Sequence, residues 1–247
     1  MAFPRWGVLG IACWGLVAVS GGLGHAAELP EAISSDYGFR ALEIFKLERR
    51  SENLVTGDFN HDGRRDLLLA DNSHSRLDLL LQRSEKPAKP DAPANGDDVN
   101  AVTYDWRFEH QKIPVDKEVS AVAVGEFNHD EKNDVAYFGQ PDRLIVLWQT
   151  GPAEWRELVN LRLADVPKAP WVLSAGDLNH DGRCDLVCLG KTQTYLLYQQ
   201  TDGTLGTPQP LMNTSDQLGL AQIADVNGDG RNDLACTSDQ DGERALC

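Results

Sequence analysis

A pattern of fourteen residues occurs four times along the chain, and it constrains the fold more than any other feature of the sequence. The copies are GDFNHDGRRDLLLA from Gly57, GEFNHDEKNDVAYF from Gly125, GDLNHDGRCDLVCL from Gly176 and ADVNGDGRNDLACT from Ala224. Their first acidic residues are 68, 51 and 48 residues apart. A period of about fifty is typical of proteins built from stacked similar units, because one unit cannot bury its apolar surface alone.

The first spacing is longer than the others because a proline-rich insert follows the first copy. Residues 84–98 read SEKPAKPDAPANGDD, a polar run with too few apolar side chains to contribute to a core. Without this insert the period is about fifty throughout. We interpret the insert as a solvated loop.

Short apolar runs surround each acidic loop, and Gly, Pro, Asn and Asp bound them, which is typical of strands. The runs before the loops include residues 53–56, 120–124 and 172–175, and the runs directly after the loops begin at Leu67, Val135 and Leu186. A further run follows in three units, at 77–82, 144–149 and 195–200. Two units have one more run, at 104–113 and 155–163. Each unit therefore has about four short strands in meander order, which is the content of one propeller blade.

Several of these runs are apolar on both faces, such as LLL at 67–69 and LIVL at 144–147. Such strands suit a sheet that has a neighbour on each side. We therefore predict an all-β fold, a β-propeller with four blades at about 50–115, 116–166, 167–214 and 215–247. Two arrangements stay open. In the first, a strand at 39–47, within an N-terminal segment 28–49, completes the fourth blade and closes the ring. In the second, the chain is an incomplete part of a larger propeller.

The acidic loop follows the pattern D-x-N-x-D-G-x-x-D, numbered here from its first acidic residue. Carboxylates stand at positions 1, 5 and 9, an amide at position 3 and, in three copies, glycine at position 6. Ca²⁺ takes about six to eight oxygen ligands, so alternate oxygens of a short loop can surround one ion. Gly63, Gly182 and Gly230 allow the sharp turn that directs the carbonyl of position 7 toward the ion.

An EF-hand loop has the same first six positions, but it needs a bidentate Glu at position 12 and a helix on each side. Position 12 is Leu69, Tyr137, Cys188 or Cys236 in the four copies, and both flanks read as strands. We therefore reject the EF-hand interpretation.

In tandem, the D-x-N-x-D-G-x-x-D-L pattern over residues 50–247 resembles the FG-GAP or VCBS repeats of integrin α-chain propellers and of many secreted bacterial proteins. The resemblance implies that each loop joins the first two strands of a blade, and that partners often bind the opposite face. By position, it implies Ca²⁺ ligands at Asp58, Asn60, Asp62, Arg64 (carbonyl) and Asp66, at Asp177, Asn179, Asp181, Arg183 (carbonyl) and Asp185, and at Asp225, Asn227, Asp229, Arg231 (carbonyl) and Asp233.

The second loop departs from this pattern, with Glu126 at position 1 and Glu131 in place of glycine at position 6. Its candidate ligands are Glu126, Asn128, Asp130 and Asp134. A longer side chain and a stiffer turn predict weaker binding there. In every loop we expect Ca²⁺ to stabilise the hairpin and to take no part in chemistry.

The chain has 38 acidic and 23 basic residues, and a net charge of −15 opposes binding to nucleic acid. Residues 1–27 combine Arg5, an apolar run and small residues up to Ala27, which predicts a secretory signal peptide and a secreted, periplasmic or cell-surface protein. Membrane contact is expected only through an uncleaved signal or anchor. Cys184, Cys188, Cys236 and Cys247 are left either as buried thiols or as disulfide partners.

No catalytic motif such as G-x-S-x-G or H-E-x-x-H occurs in the chain. We therefore predict a non-catalytic protein that binds an extracellular protein or glycan in recognition or adhesion. Residues proposed for the binding surface are Asn72, His74, Gln140, Trp171, Lys191 and Gln193. Position 4 is histidine in three loops (His61, His129 and His180), but a zinc or catalytic role is disfavoured because the three belong to separate repeats.

Two alternatives stay open. The first is a carbohydrate-active propeller, either a lectin or a hydrolase or lyase, whose carboxylates outside the loops would include Asp71, Asp142 and Asp239. The second is a truncated, non-functional piece of a larger repeat protein.

Overall fold

Fifteen strands follow one another in the described part of the chain, and no helix occurs there. The computed structural model describes residues 47–85, 106–115, 118–152, 154–215, 217–240 and 243–246, all in one unit, Ile44–Cys247. The predicted signal peptide, the N-terminal segment up to residue 46 and most of the proline-rich insert lie outside these residues. Within the described ranges, no helix has the length and apolarity that a membrane crossing requires.

The strands form four antiparallel sheets, and each sheet uses strands that are consecutive in the chain. Sheet 1 contains β1 (Ser51–Gly57), β2 (Asp66–Asp71), β3 (Arg76–Gln82) and β4 (Phe108–Pro114), and sheet 2 contains β5 (Val119–Gly125), β6 (Asp134–Gly139), β7 (Arg143–Gly151) and β8 (Glu154–Arg162). Sheet 3 contains β9 (Leu173–Gly176), β10 (Asp185–Leu189), β11 (Gln193–Leu197) and β12 (Gln209–Met212), and sheet 4 contains β13 (Leu218–Ala224), β14 (Asp233–Gln240) and β15 (Glu243–Leu246). The predicted all-β meander is confirmed.

In every sheet the acidic loop joins the first strand to the second. Loops 1 to 4 are named here after their sheets. The register is regular where each hairpin leaves the loop, as in the pairing of Gly57 with Asp66 and of Gly125 with Asp134. The hairpin therefore fixes both ends of each loop.

Strand β12 was not recognised in the sequence. All four of its residues, Gln209–Met212, are exposed, and Leu211 and Met212 are among the most exposed large apolar side chains. A strand without a buried face has no alternation of polar and apolar residues to detect.

The sheets lie in sequence order, and their first strands are neighbours. Strand β1 contacts β5, β5 contacts β9 and β9 contacts β13. Among the described strands, β13 makes no comparable contact with β1. The four described sheets therefore do not form a closed ring. The all-β prediction is confirmed, but the predicted propeller is not.

Sheet 2 shows why its strands are apolar on both faces. Val135 and Tyr137 of β6 belong to a core cluster shared with sheet 1, whereas Ala136 and Phe138 belong to a second cluster that is shared with sheets 3 and 4. Alternate side chains of a strand point to opposite faces, so both sets are buried at once. The continuous apolar run follows from a sheet that is covered on each side.

The apolar residue at position 2 of loops 1 and 2 packs against the following sheet. Phe59 is buried in the cluster of sheets 1 and 2, and Phe127 is buried in the cluster of sheets 2, 3 and 4. Val226, at the same position of loop 4, is 55% exposed. The loops thus contribute to the packing between sheets as well as to a candidate site.

A glycine precedes each of the first three loops because the next sheet approaches there. A Cβ atom placed on Gly125 would lie 2.6 Å from Cys184 Sγ and 2.8 Å from the Phe127 ring. Loop 4 is preceded instead by Ala224. The spacing between sheets 2 and 3 therefore has no room for even one methyl group at Gly125.

We expect Gly125→Ala to lower the free energy of unfolding by about 1–3 kcal/mol, because the added methyl group overpacks the contact between sheets. Gly151→Ala is the matched control, since a Cβ there would meet only the flexible Glu154 side chain, at 3.2 Å. Urea denaturation of both variants and the wild type measures the difference. Equal stability of the two variants would contradict this close approach.

Candidate metal centre in the acidic loops

All four acidic loops have the same backbone shape. Positions 4 and 6 adopt left-handed conformations in every copy, with φ between 58° and 62° at His61, His129 and His180 and between 79° and 85° at the glycines. Glu131 at position 6 of loop 2 also has a positive φ, 65°. Loop 2 therefore keeps the shape of the other loops, with a backbone conformation that costs free energy in a residue other than glycine.

The side-chain oxygens of positions 1 and 3 converge on one backbone group, the N–H of position 5. In loop 1, Asp62 N donates to Asp58 Oδ1 at 3.2 Å and to Asn60 Oδ1 at 3.1 Å. The same pair of bonds occurs at Asp130, Asp181 and Asp229, at 2.9–3.2 Å. Each loop thus brings a carboxylate oxygen and an amide oxygen close together.

The position 5 carboxylate is oriented by the following turn. Its Oδ1 accepts the N–H of position 7 in all four loops, at 2.8 Å in loop 1 and 2.9–3.0 Å in the others. In loops 1, 3 and 4 the carboxylate of position 1 also accepts the N–H of position 6. Glu126 lacks this last bond among the described residues, and its longer side chain instead accepts the N–H of Asn128, at 3.1 Å.

The aspartate of position 9 is buried and has a structural role that the sequence did not reveal. Asp134 Oδ2 accepts Phe127 N and Asp134 Oδ1 accepts Gln149 N, both at 2.9 Å. Asp66 and Asp185 make the equivalent bonds to position 2 and to the end of the third strand. Each of these carboxylates therefore ties the start of its loop to the third strand of its sheet.

Burial of the position 9 carboxylates favours their neutral form in the absence of a cation. Burial, together with the nearby carboxylates of Asp130 and Glu126, raises the pKa of Asp134 to about 7. Burial also raises the pKa of Asp66 and of Asp185. Since like charges in the same loop cause part of these shifts, a bound cation would relieve them.

The donor set of each loop fits a hard divalent cation. Within the described ranges, no three His, Cys, Asp or Glu side chains form a closed metal centre by themselves. The predicted ligands, however, also include the position 3 amide and a backbone carbonyl, which are oxygen donors that Ca²⁺ accepts. The convergence of positions 1, 3 and 5 supports this use of the loop, while ion contacts of position 9 and of the position 7 carbonyl stay predictions.

Side chains of the following sheet hold the first two carbonyl groups of a loop. Asn133 Nδ2 donates to Asp58 O at 2.7 Å, and Gln149 Nε2 donates to Phe59 O at 2.6 Å. Gln199 Nε2 bonds Glu126 O at 3.1 Å, and Asn232 Nδ2 bonds Asp177 O at 2.8 Å. These bonds connect each loop to its neighbour sheet. In the sequence they were marked by Asn at position 8 of loops 2 and 4, and by a Gln at or near the end of the third strand in sheets 2 and 3.

The histidine of position 4 connects two loops in one place. His61 Nε2 donates to the carbonyl oxygen of Glu131 at 2.8 Å. This hydrogen bond links loop 1 to loop 2, so His61 has a structural contact between the two loops.

Several residues proposed for partner binding make internal contacts instead. Asn72 exchanges two hydrogen bonds of 2.9 Å with the backbone of Val119, and Gln193 Nε2 donates to Tyr195 Oη at 2.7 Å. Gln140 donates to Glu118, and Trp171 is partly buried against the larger core cluster. Of the six residues proposed for partner binding, His74, Gln140 and Lys191 are exposed.

Asp71, a candidate carboxylate of the carbohydrate-active alternative, is fully buried and paired. Its Oδ2 lies 2.7 Å from His74 Nδ1 and 2.9 Å from Arg76 Nη2. Asp142 occupies a left-handed turn, with φ of 60°, where its carbonyl accepts Leu163 N. Both residues thus serve the turns in which they lie.

The described cysteines Cys184, Cys188 and Cys236 are not in disulfide bonds. Burial raises the pKa of the Cys184 thiol to about 12 and also raises the pKa of Cys188. Cys188 and Cys236 are buried thiols and Cys184 is a partly buried one, whereas Cys247 lies outside the described residues.

Comparison with protein families gives a match to the FG-GAP-like repeat at residues 126–188 and 177–236. These two overlapping segments contain loops 2, 3 and 4. A search of the curated proteins found no match to the chain.

The raised pKa of Asp134 predicts a pH dependence of stability. The folded chain holds the Asp134 proton up to about pH 7, whereas an unfolded carboxyl loses it near its usual value of 3.8. This group therefore makes the calcium-free protein less stable as the pH rises from about 4 to about 7. In EDTA, we expect the free energy of unfolding of Asp134→Asn to fall less over this range than that of the wild type.

Denaturant unfolding at several pH values measures both slopes. Asp202→Asn is the control, because hydrogen bonds from Thr204 lower the pKa of this exposed carboxyl and it does not titrate in the range. Parallel curves for Asp134→Asn and the wild type would contradict the raised pKa.

Proposed function

Because this chain is an FG-GAP repeat protein, we propose that its sheets are blades of a Ca²⁺-stabilised β-propeller that binds an extracellular protein or glycan. The observation that carries this proposal is the shared loop geometry. In all four copies, oxygens of positions 1 and 3 meet at the N–H of position 5. Four similar oxygen sites in one chain favour binding of one kind of hard cation.

The propeller arrangement is supported by the order of the sheets. Each sheet is a meander whose first strand lies beside the first strand of the next sheet. Radially stacked blades have this arrangement, with their first strands around a common axis. A ring closed by further strands and an arc within a larger propeller are both compatible with it.

The role proposed for Ca²⁺ is structural. The oxygens of positions 1, 3 and 5 would hold the ion, and its charge would offset the mutual repulsion of the loop carboxylates. The same loop is bonded to the next sheet through Asn133 or Asn232 and through Gln149 or Gln199. Fixing a loop would therefore also strengthen the packing between successive blades.

A role in recognition is proposed from the family and from the charge of the chain. A net charge of −15 disfavours nucleic acid and anionic membranes as partners. The predicted signal peptide is consistent with export to the cell surface or beyond. We propose no catalytic step, and the internal pairing of Asp71 offers no support for the hydrolase alternative.

Calcium should bind the purified chain and raise its melting temperature. If free Ca²⁺ exceeds the dissociation constant tenfold, each occupied loop adds about 1.4 kcal/mol to the free energy of unfolding. We expect a variant that combines Asp58→Asn, Asp177→Asn and Asp225→Asn to lose most of this gain, with Asp202→Asn as the control. Calorimetric titration and thermal melts in Ca²⁺ and in EDTA measure it. A wild-type chain with no binding heat and identical melts would refute the structural role.

Recognition is tested with the labelled chain on a glycan array and on a panel of immobilised extracellular proteins. We expect binding to one of these classes in Ca²⁺ and its loss in EDTA, because the loops stabilise the blades. The variant with three altered loops serves as the matched negative control. Cleavage of an arrayed glycan would instead support the carbohydrate-active alternative, and absence of binding on both surfaces would contradict the proposed partners.

A further inference from the structure

A basic residue follows the last turn of every acidic loop, at position 7: Arg64, Lys132, Arg183 and Arg231. In loops 1 and 3 this residue makes the same pair of contacts. Arg64 Nη2 lies 3.2 Å from Asp62 Oδ2, and Arg183 Nη2 bonds Asp181 Oδ2. Each guanidinium thus lies against the position 5 carboxylate, which is a predicted ligand of the ion.

The second contact fixes the guanidinium from the other side. Arg64 Nε donates to Gln82 O at 3.4 Å, and Arg183 Nε donates to Gln199 O at 3.0 Å. The backbone N–H groups of the same two glutamines bond the position 9 aspartates. Each arginine therefore connects the end of the third strand to the loop, and its position is set by the sheet.

In loops 1 and 3 the Oδ2 atom of the position 5 carboxylate also accepts a hydrogen bond from the asparagine at position 3. Asn60 Nδ2 donates to Asp62 Oδ2 at 2.9 Å, and Asn179 Nδ2 donates to Asp181 Oδ2 at 2.8 Å. The Oδ2 atom that would face a cation is thus already bonded to an amide and to a guanidinium.

Loops 2 and 4 differ at this point. Lys132 Nζ lies 2.9 Å from Asp130 Oδ2, but a single ammonium group has no second contact to the strand among the described residues. In loop 4 the exposed Arg231 side chain pairs with no described carboxylate, and Asp229 Oδ2 accepts no hydrogen bond from described residues. The four loops therefore share a backbone but not a charge environment.

We propose that Arg64 and Arg183 act as tethered counter-cations that compete with Ca²⁺ for the position 5 carboxylates, so that each arginine weakens Ca²⁺ binding in its own loop. This inference rests on the proposed binding of Ca²⁺ by the loops. A guanidinium held by the strand must leave Oδ2 before the ion can use that oxygen. Until then it offsets the negative charge of the carboxylate, which lowers the repulsion among the acidic groups of loops 1 and 3.

The arginine therefore has a task of its own in loops 1 and 3. It connects each loop to its sheet at low Ca²⁺ concentration. Removal of the arginine should consequently have opposite effects in the two conditions: lower stability in EDTA and tighter binding of Ca²⁺.

The test uses a double variant, Arg64→Gln and Arg183→Gln, with Arg65→Gln as the matched control. Arg65 is the next residue in loop 1, is exposed, and forms no hydrogen bond or ion pair with described residues, so its replacement removes one positive charge, half of the change in the double variant, without removing a contact. Calorimetric titration with Ca²⁺ and thermal melts in EDTA are the two measurements. For the double variant we expect Ca²⁺ to bind about tenfold more tightly at loops 1 and 3, and we expect a lower melting temperature in EDTA.

Arg65→Gln should change both quantities much less, because an exposed charge beyond contact distance is screened by salt. An equal effect of Arg65→Gln would overturn the tethered contact in favour of net charge alone. Unchanged Ca²⁺ affinity in the double variant would overturn the competition. A wild-type chain without any binding heat would instead refute the proposed Ca²⁺ sites, and the melts in EDTA would still show whether the arginines stabilise the calcium-free loops.

Discussion

The buried aspartate at position 9 is the interaction on which the rest of the described structure depends. In sheets 1, 2 and 3 its two oxygens accept the N–H of position 2 and an N–H at the end of the third strand. One side chain thus joins the loop, the second strand and the third strand. Because a buried carboxylate without partners would be very costly, these bonds also force the backbone into this one arrangement.

Packing between the sheets depends on the same arrangement. The glutamine whose N–H bonds the aspartate uses its own side chain to bond the preceding loop, as Gln149 does at Phe59 O. The Phe59 side chain in turn is buried between sheets 1 and 2. The acidic loops are therefore part of the contact between sheets, and a cation bound in a loop would act on that contact without touching it.

The loops share one backbone shape but differ in the positive charge beside the position 5 carboxylate. In loops 1 and 3 a guanidinium fixed at Gln82 or Gln199 supplies positive charge from within the chain. Position 7 is also arginine in loop 4, so the residue type does not separate these cases; the contact to the third strand does. The pattern of predicted ligand residues alone therefore does not rank the loops by expected Ca²⁺ affinity. A cationic side chain already bonded to a ligand carboxylate also affects that affinity.

The sequence by itself determined the four repeats, the strands on both sides of each loop and the residues of positions 1, 3 and 5, because alternation of apolar residues and the spacing of oxygens are local properties. The tertiary structure alone decided the role of position 9, the bonds of Asn133 and Gln149, and the internal use of Asn72 and Asp71. The bonds of Asn133 and Gln149 join residues far apart in the chain, 75 residues for Asn133 and Asp58 and 90 for Gln149 and Phe59. Asp71 pairs with nearby residues, His74 and Arg76, but only the folded turn brings their charged groups together. Strand β12 was missed for the opposite reason, since its exposed residues are paired only through the backbone and leave no pattern in the side chains.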